Sequence, residues 1–298
     1  MIDVARLRAL HAVATYGTVT GAARALHLTP SAVSQHLAKL ERETGSALLE
    51  KDGRGLRLTE AGRVLVRHAA TVLAAVEEAE AALAAHRETV TGRLVIAAFP
   101  TACRGLAPAA LSRLLASHPA LEPALREGGN AISLDLVARG EADVAVIDDW
   151  PEAPVALPPG LSQVDLGPDV ADLVVPAGHA LAAGGPVRLA DVVGQRWVAS
   201  TPGSICHDWL TRVLPNVRPA FHVDEFETQL TLVAAGLGVA IVPRLARTYL
   251  PAGVAVVPIE PVPTRRVSAA WRTASAARPA ISAAVEALGE AWQRRSTG

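Results

Sequence analysis

Five side chains between Ser31 and Arg42 have the types and the spacing needed to read the edge of a DNA groove. Val33, Leu37 and Leu40 stand at i, i+4 and i+7, so on a helix they share one apolar face. Ser31, Gln35, Ala38 and Arg42 fall opposite, with Ser34 at the edge. Small hydroxyls permit close approach, a carboxamide can bond an adenine edge twice, and Lys39 or Arg42 can neutralise a phosphate. Thr29 and Pro30 precede them, a capping hydroxyl and a proline at the first helical position, at the end of the helix that would enter a groove. Taken alone, the same face fits a plain surface helix.

A basic, glycine-tipped pattern follows. Leu48-Leu49-Glu50-Lys51, the turn Asp52-Gly53-Arg54-Gly55 and Leu56-Arg57-Leu58 predict a short hairpin, and a basic hairpin just after such a helix is a wing. Arg54 and Arg57 could reach the backbone or minor groove. The helix and hairpin must be held by the residues before them. Val4, Leu7, Leu10, His11 and Ala14 give a first helix ending near Tyr16-Gly17, and Thr18 can cap a short second one from Gly21 to Leu26. The third should run from Pro30 to about Glu43. The net charge of −1 conceals an asymmetry: residues 1–65 hold nine Lys/Arg against six Asp/Glu, +3, and the remainder 19 against 23, −4. Any phosphate affinity therefore belongs to the N-terminal part.

From Ala61 to about Glu88, Leu65, Ala69, Val72, Val76, Ala79 and Leu83 step by four and three, a heptad seam on a long helix that needs a partner helix. After Thr91-Gly92, strand and helix patterns alternate: Leu94–Ala98, a helix from Thr101 to His118, Leu121–Arg126, a helix from Ile132 to Arg139, and Ala142–Ile147. A second set follows the Pro-rich stretch 151–159: Leu173–Pro176, Trp197–Ser200, a helix near Ile205–Val213, Ala220–Asp224, a helix from Glu227 to Ala235, and Val239–Val242. Arg266–Trp271 and a helix from Pro279 to Arg294 close the chain. This predicts two α/β lobes, largely parallel in the first, with a cleft beyond the strand C-termini where helix N-termini point inward. The corners there offer Thr101, Asn130, Ser200, Thr201, Ser204, Glu225 and Phe226 as ligand contacts. Each also suits ordinary helix capping or packing.

Several of these segments carry a family pattern: Leu7-x-x-Leu10, Thr18-Val19-Thr20-Gly21-Ala22-Ala23-Arg24-Ala25-Leu26, Thr29-Pro30-Ser31-Ala32-Val33-Ser34-Gln35 and Leu58-Thr59-Glu60-Ala61-Gly62. Further on come Ala171-Asp172-Leu173-Val174-Val175-Pro176 and Leu232–Pro243. In them the chain resembles the LysR-type transcriptional regulators over essentially its whole length. The resemblance implies a winged helix-turn-helix over 1–60, a linker helix over 61–90 that pairs subunits, and an effector domain over 91–298 with lobes like those of periplasmic binding proteins. Lobe I would take about 91–160 and 266–298, and lobe II about 161–265. It also implies a homodimer or homotetramer on an inverted-repeat double-stranded DNA operator, with a small-molecule effector between the lobes touching Thr101, Thr201 and Ser204. Leu48-Leu49 replaces the usual Leu-Phe, Pro30 replaces a common DNA-contacting Gln, and Phe99 replaces a small residue, which would narrow the pocket or favour an apolar ligand.

Competing functions leave weaker traces. Both lysines, Lys39 and Lys51, precede residue 60, which removes a Schiff-base lysine from the cleft, and no Gly-x-Ser-x-Gly, P-loop or His-Glu-x-x-His occurs. A solute-binding protein would have no use for the winged helix and would need an export signal, which Met1–Arg6 does not begin. No apolar run is long enough to span a membrane, so a cytoplasmic location is expected, with no cofactor. Cys103 and Cys206, far apart, suggest neither disulfide nor zinc. In the resemblance, Cys206 lies where a peroxide-sensing branch carries its reactive thiol, which leaves a redox signal as the alternative to a bound effector.

Overall fold

The structure, a computed structural model, describes residues 1–52, 55–86 and 89–296, and divides into two units, Met1–Arg87 and Glu88–Gly298. In the first unit α1 (Val4–Tyr16) is capped by the Asp3 carboxylate and stopped by Gly17 in the left-handed region. Thr18 caps α2 (Val19–Ala25), and Thr29 with Pro30 opens α3 (Pro30–Thr44). Leu7, Leu10 and Val13 of α1, Ala22 and Ala23 of α2, and Val33, Leu37 and Leu40 of α3 form one core. β1 (Leu49–Asp52) and β2 (Gly55–Leu58) pair antiparallel, with Glu50 opposite Arg57, as the hairpin pattern predicts. α4 (Glu60–His86) then spans 27 residues, about 40 Å at the usual helical rise.

α4 joins this core through Leu65 and Ala69, whereas Val72 is 40% and Leu83 66% exposed. Its first turn passes so close to the chain before β1 that a Cβ on Gly62 would stand 2.1 Å from the Leu48 carbonyl oxygen.

In the second unit β3 (Gly92–Ala98) lies between β4 (Leu121–Glu127) and β5 (Val144–Asp149), parallel to both. β3 shows the period of two directly. Leu94, Ile96 and Ala98 face a core with α6 (Ala107–Ser117) and α10 (Pro279–Ser296), and Val95 and Ala97 face one with α7 (Asn130–Ala138). The single helix expected from Thr101 to His118 is instead α5 (Pro100–Gly105) and α6, broken at Leu106. Pro108 lacks the N–H that a continuous helix would need, and Gly105 packs so tightly that a Cβ would lie 2.7 Å from the Leu245 carbonyl oxygen.

The 16-residue strand β6 (Leu161–Pro176) serves two sheets. Its first part pairs with β11 (Thr264–Arg272), which also pairs with β5; its last part pairs with β9 (Ala240–Pro243) and β10 (Val254–Val257), all antiparallel. Expectation had placed only Leu173–Pro176 in a strand, because Gln163, Asp165, Gly167 and Pro168 mask the rest, and β10 was not foreseen. The second lobe is completed by the short parallel pair β7 (Val198–Ala199) and β8 (Phe221–His222), with α8 (Ile205–Val213) and α9 (Phe226–Ala234).

Where β5, β6 and β11 meet, Arg265 is 1% exposed and bonds two buried carboxylates. Its Nη1 donates to Asp148 Oδ2 at 2.9 Å, and its Nε and Nη2 donate to Asp169 Oδ2 at 2.9 and 2.8 Å. Nη2 also donates to Thr101 Oγ1 at 3.0 Å, and the guanidinium lies 5.1 Å from the centre of the Phe99 ring. Burial opposes the charge, but the two carboxylates outweigh it and hold the Arg265 pKa above its ordinary value.

Two substitutions test these tight places. Gly62→Ala should cost about 1–3 kcal/mol in chemical denaturation, because backbone rather than a movable side chain blocks the added methyl. Arg265→Met should cost about 3–5 kcal/mol, since it leaves two carboxylates buried without their cation; near-wild-type stability would show that water already reaches them.

Candidate functional site

The outward face of α3 forms the first candidate surface. Thr29, Pro30, Ser31, Ser34, Gln35, Lys39 and Arg42 are all exposed. Some are partly committed: Thr29 Oγ1 accepts from the Ala32 N–H at 3.2 Å, Ser34 Oγ donates to the Pro30 carbonyl at 2.9 Å, and Arg42 Nε donates to the Ala38 carbonyl at 3.3 Å. The first two bonds hold the first turn of α3, and the third lies near its C-terminal end. Gln35 and Lys39 have no partner among the described residues, so an amide and an ammonium stand ready on a helix whose other side is locked into the core. Arg57 on β2 pairs with Glu50 across the hairpin at 2.8 Å, half exposed, which leaves it able to exchange carboxylate for phosphate. Arg54 lies outside the described residues.

The second candidate is a cavity in the second unit, at the end of β5 and between α8 and α9. Trp150, Trp209, Phe226, Ser200, Gln229 and Cys206 supply its distinctive wall groups. Trp150 and Trp209 stack with ring centres 4.2 Å apart at 23°, and the Trp209 N–H donates to Glu152 Oε2 at 3.0 Å. Gln229 is 1% exposed; its Nε2 donates to Ser200 Oγ at 3.3 Å and to the Val223 carbonyl at 2.7 Å. The partly open space between these walls has a volume of about 20 Å3, room for about one water.

Only Ser200 and Phe226 of the seven expected contacts line this cavity. Thr101 is buried beneath Arg265 as its acceptor. Asn130 brackets β5, donating to the Asp148 carbonyl at 2.7 Å and accepting from the Asp148 N–H at 3.1 Å. Thr201 bonds the Asp224 carboxylate through its N–H and hydroxyl, and Ser204 caps α8 by accepting from the His207 N–H at 3.3 Å. Glu225 pairs with Arg104 at 2.7 Å. Phe99 supports Arg265 and is not among the cavity's wall residues. Trp150, Trp209 and Gln229 went unrecognised because bulky or amide residues inside strand and helix patterns read as core; rarity was the usable signal, with five tryptophans in 298 residues.

Cys206 sits in the same wall, and its thiol pKa is pushed up to about 12, chiefly by burial and then by the Asp148 charge. Cys103, whose Sγ lies 3.3 Å from the Ala98 carbonyl oxygen, is pushed up to about 11, again chiefly by burial. Both thiols therefore stay protonated near neutrality.

Residues 4–63 match the model of the bacterial regulatory helix-turn-helix proteins of the lysR family, and residues 87–293 match the LysR substrate binding domain. The HTH-type transcriptional regulator GbpR of Rhizobium radiobacter is 28% identical over 286 residues, covering 93% of this chain and 92% of its own. The hydrogen peroxide-inducible genes activator of Pectobacterium carotovorum is 27% identical, with 93% and 92% covered. A full-length OxyR variant from Pseudomonas aeruginosa shares the fold with a TM-score of 0.72, at 24% identity and 98% and 95% coverage. With both parts matched in the order in which they fold here, the chain belongs to the LysR family of transcriptional regulators, a DNA-binding helix-turn-helix joined to an effector-binding domain.

Proposed function

We propose that the protein pairs through α4 into a homodimer or homotetramer, sets its α3 helices on an inverted-repeat operator in double-stranded DNA, and changes that grip when a small molecule enters the second unit's cavity. The observation that carries the DNA contact is the α3 face: Gln35 and Lys39 are unpartnered while Val33, Leu37 and Leu40 fix the helix beneath them. The exposed Val72 and Leu83 on α4 support its role as a pairing arm. On this reading 1–60 is the DNA-binding domain, 61–90 the arm and 91–298 the effector domain, acting in the cytoplasm without catalysis. No described helix is long and apolar enough to cross a membrane.

The test is binding to the intergenic DNA upstream of its own gene, titrated against salt. Gln35→Ala should lose about 1–3 kcal/mol and relax sequence preference, because it removes a base-reading amide. Lys39→Ala should weaken all sequences alike and lower the salt slope by about one, as expected for a single phosphate contact. Equal loss on every sequence for Gln35→Ala would remove it from base reading.

A redox signal at Cys206 is the second reading, favoured by the peroxide-inducible relative. The high thiol pKa argues against it, since peroxide reacts with thiolate. Iodoacetamide should label Cys206 at least about tenfold more slowly than free cysteine at neutral pH, and millimolar peroxide should leave operator binding unchanged. Rapid labelling with loss or gain of binding would reinstate the thiol switch.

A further inference from the structure

We infer that the cavity's ligand is an uncharged, planar, largely apolar molecule carrying one hydrogen-bond acceptor, of the aryl ketone or aldehyde type. This rests on the effector reading above and narrows it. The walls are mostly ring and aliphatic surface, headed by the Trp150–Trp209 stack and Phe226, so apolar contact supplies the affinity and contact with ring faces suits a flat ligand.

Charge decides the rest. A carboxylate ligand needs a cation that the surrounding carboxylates do not already outnumber. Arg265 bonds Asp148, Asp169 and Thr101, a buried group with net charge −1, and Arg104, whose Nε and Nη2 make no hydrogen bond among the described residues, stands between Glu225 at 2.7 Å and Glu227 at 3.5 Å beside the wall residue Phe226, again a net −1. An anion entering here would meet net negative charge from both groups. A cationic ligand has the charge on its side but would need an acceptor at the wall, and the polar groups there not yet satisfied are donors. The Trp150 indole N–H is buried, makes no well-formed hydrogen bond among the described residues, and faces only the Cys206 sulfur, a weak acceptor. Ser200 Oγ accepts from Gln229 and keeps its own proton to donate. A buried donor offered only a weak acceptor destabilises the wall, and a ligand carbonyl would satisfy it better.

The experiment is calorimetric titration of the full-length protein with four probes of one ring size: acetophenone, benzoate, benzylamine and toluene. Acetophenone should bind at least about tenfold more tightly than benzoate or benzylamine, since either charge would be desolvated unpaired. It should also bind about fivefold more tightly than toluene, the difference being one hydrogen bond. Trp150→Phe, which keeps the ring stack, should erase the gap between acetophenone and toluene, and Ser200→Ala should narrow it if Trp150→Phe does not fold. Benzoate binding tightest, equal binding of acetophenone and toluene, or no binding of any probe at millimolar concentration would each overturn the assignment. Operator binding by the same unliganded protein is measured in parallel: its absence sinks the regulator reading, whatever the probes do, whereas a failed probe ranking with operator binding intact sinks only the ligand class.

Discussion

A guanidinium cannot be buried alone, and the second unit is arranged around that constraint. Arg265 is charged at any accessible pH, so carboxylates must come to it; they come from two strands, Asp148 from β5 and Asp169 from β6, while Arg265 itself is on β11. Asp169 also accepts from the Leu245 N–H at 2.9 Å, and Asn130 of α7 clasps the backbone at Asp148. One charge thus fixes three strands, a helix start and the turn after β9 at a single point. Thr101 and Phe99, at the start of α5, complete the cage.

That cage shows why type and spacing alone do not separate ligand contacts from internal ones. A rule that places ligands at strand C-termini and helix starts pointed to Thr101, Asn130, Thr201 and Ser204. In the folded chain those polar groups mostly satisfy one another: Thr201 with Asp224, Ser204 with α8, Asn130 with β5. The cavity falls to residues whose patterns signal packing, Trp150 and Trp209 above all. Short polar side chains near helix starts have two uses, and type and spacing are the same for both.

Elements with strong local signals were legible almost to the residue. Thr29-Pro30 opens α3, and the alternation around the Gly-rich turn gave the hairpin. The misses share a cause: long-range partners outweighed local pattern. β6 continues through Gly167-Pro168 because β11 pairs alongside, with a register shift near Val267 that accommodates the irregularity. The helix after β3 breaks because Leu245, 140 positions away from Gly105, needs the space.

The same β6 restricts how such a protein could exchange parts with its relatives. One strand carries the register of two sheets, with Leu173 and Val175 turned to one core and Val174 to another. A recombination joint inside it that gained or lost one residue would invert every side chain downstream and turn the second lobe inside out. Joints in the stretches before Leu161 and after Ile259 leave both registers whole. A new pocket could therefore be inherited as an insert spanning both, and the barrier to shuffling effector specificity is set by the indivisibility of a single strand.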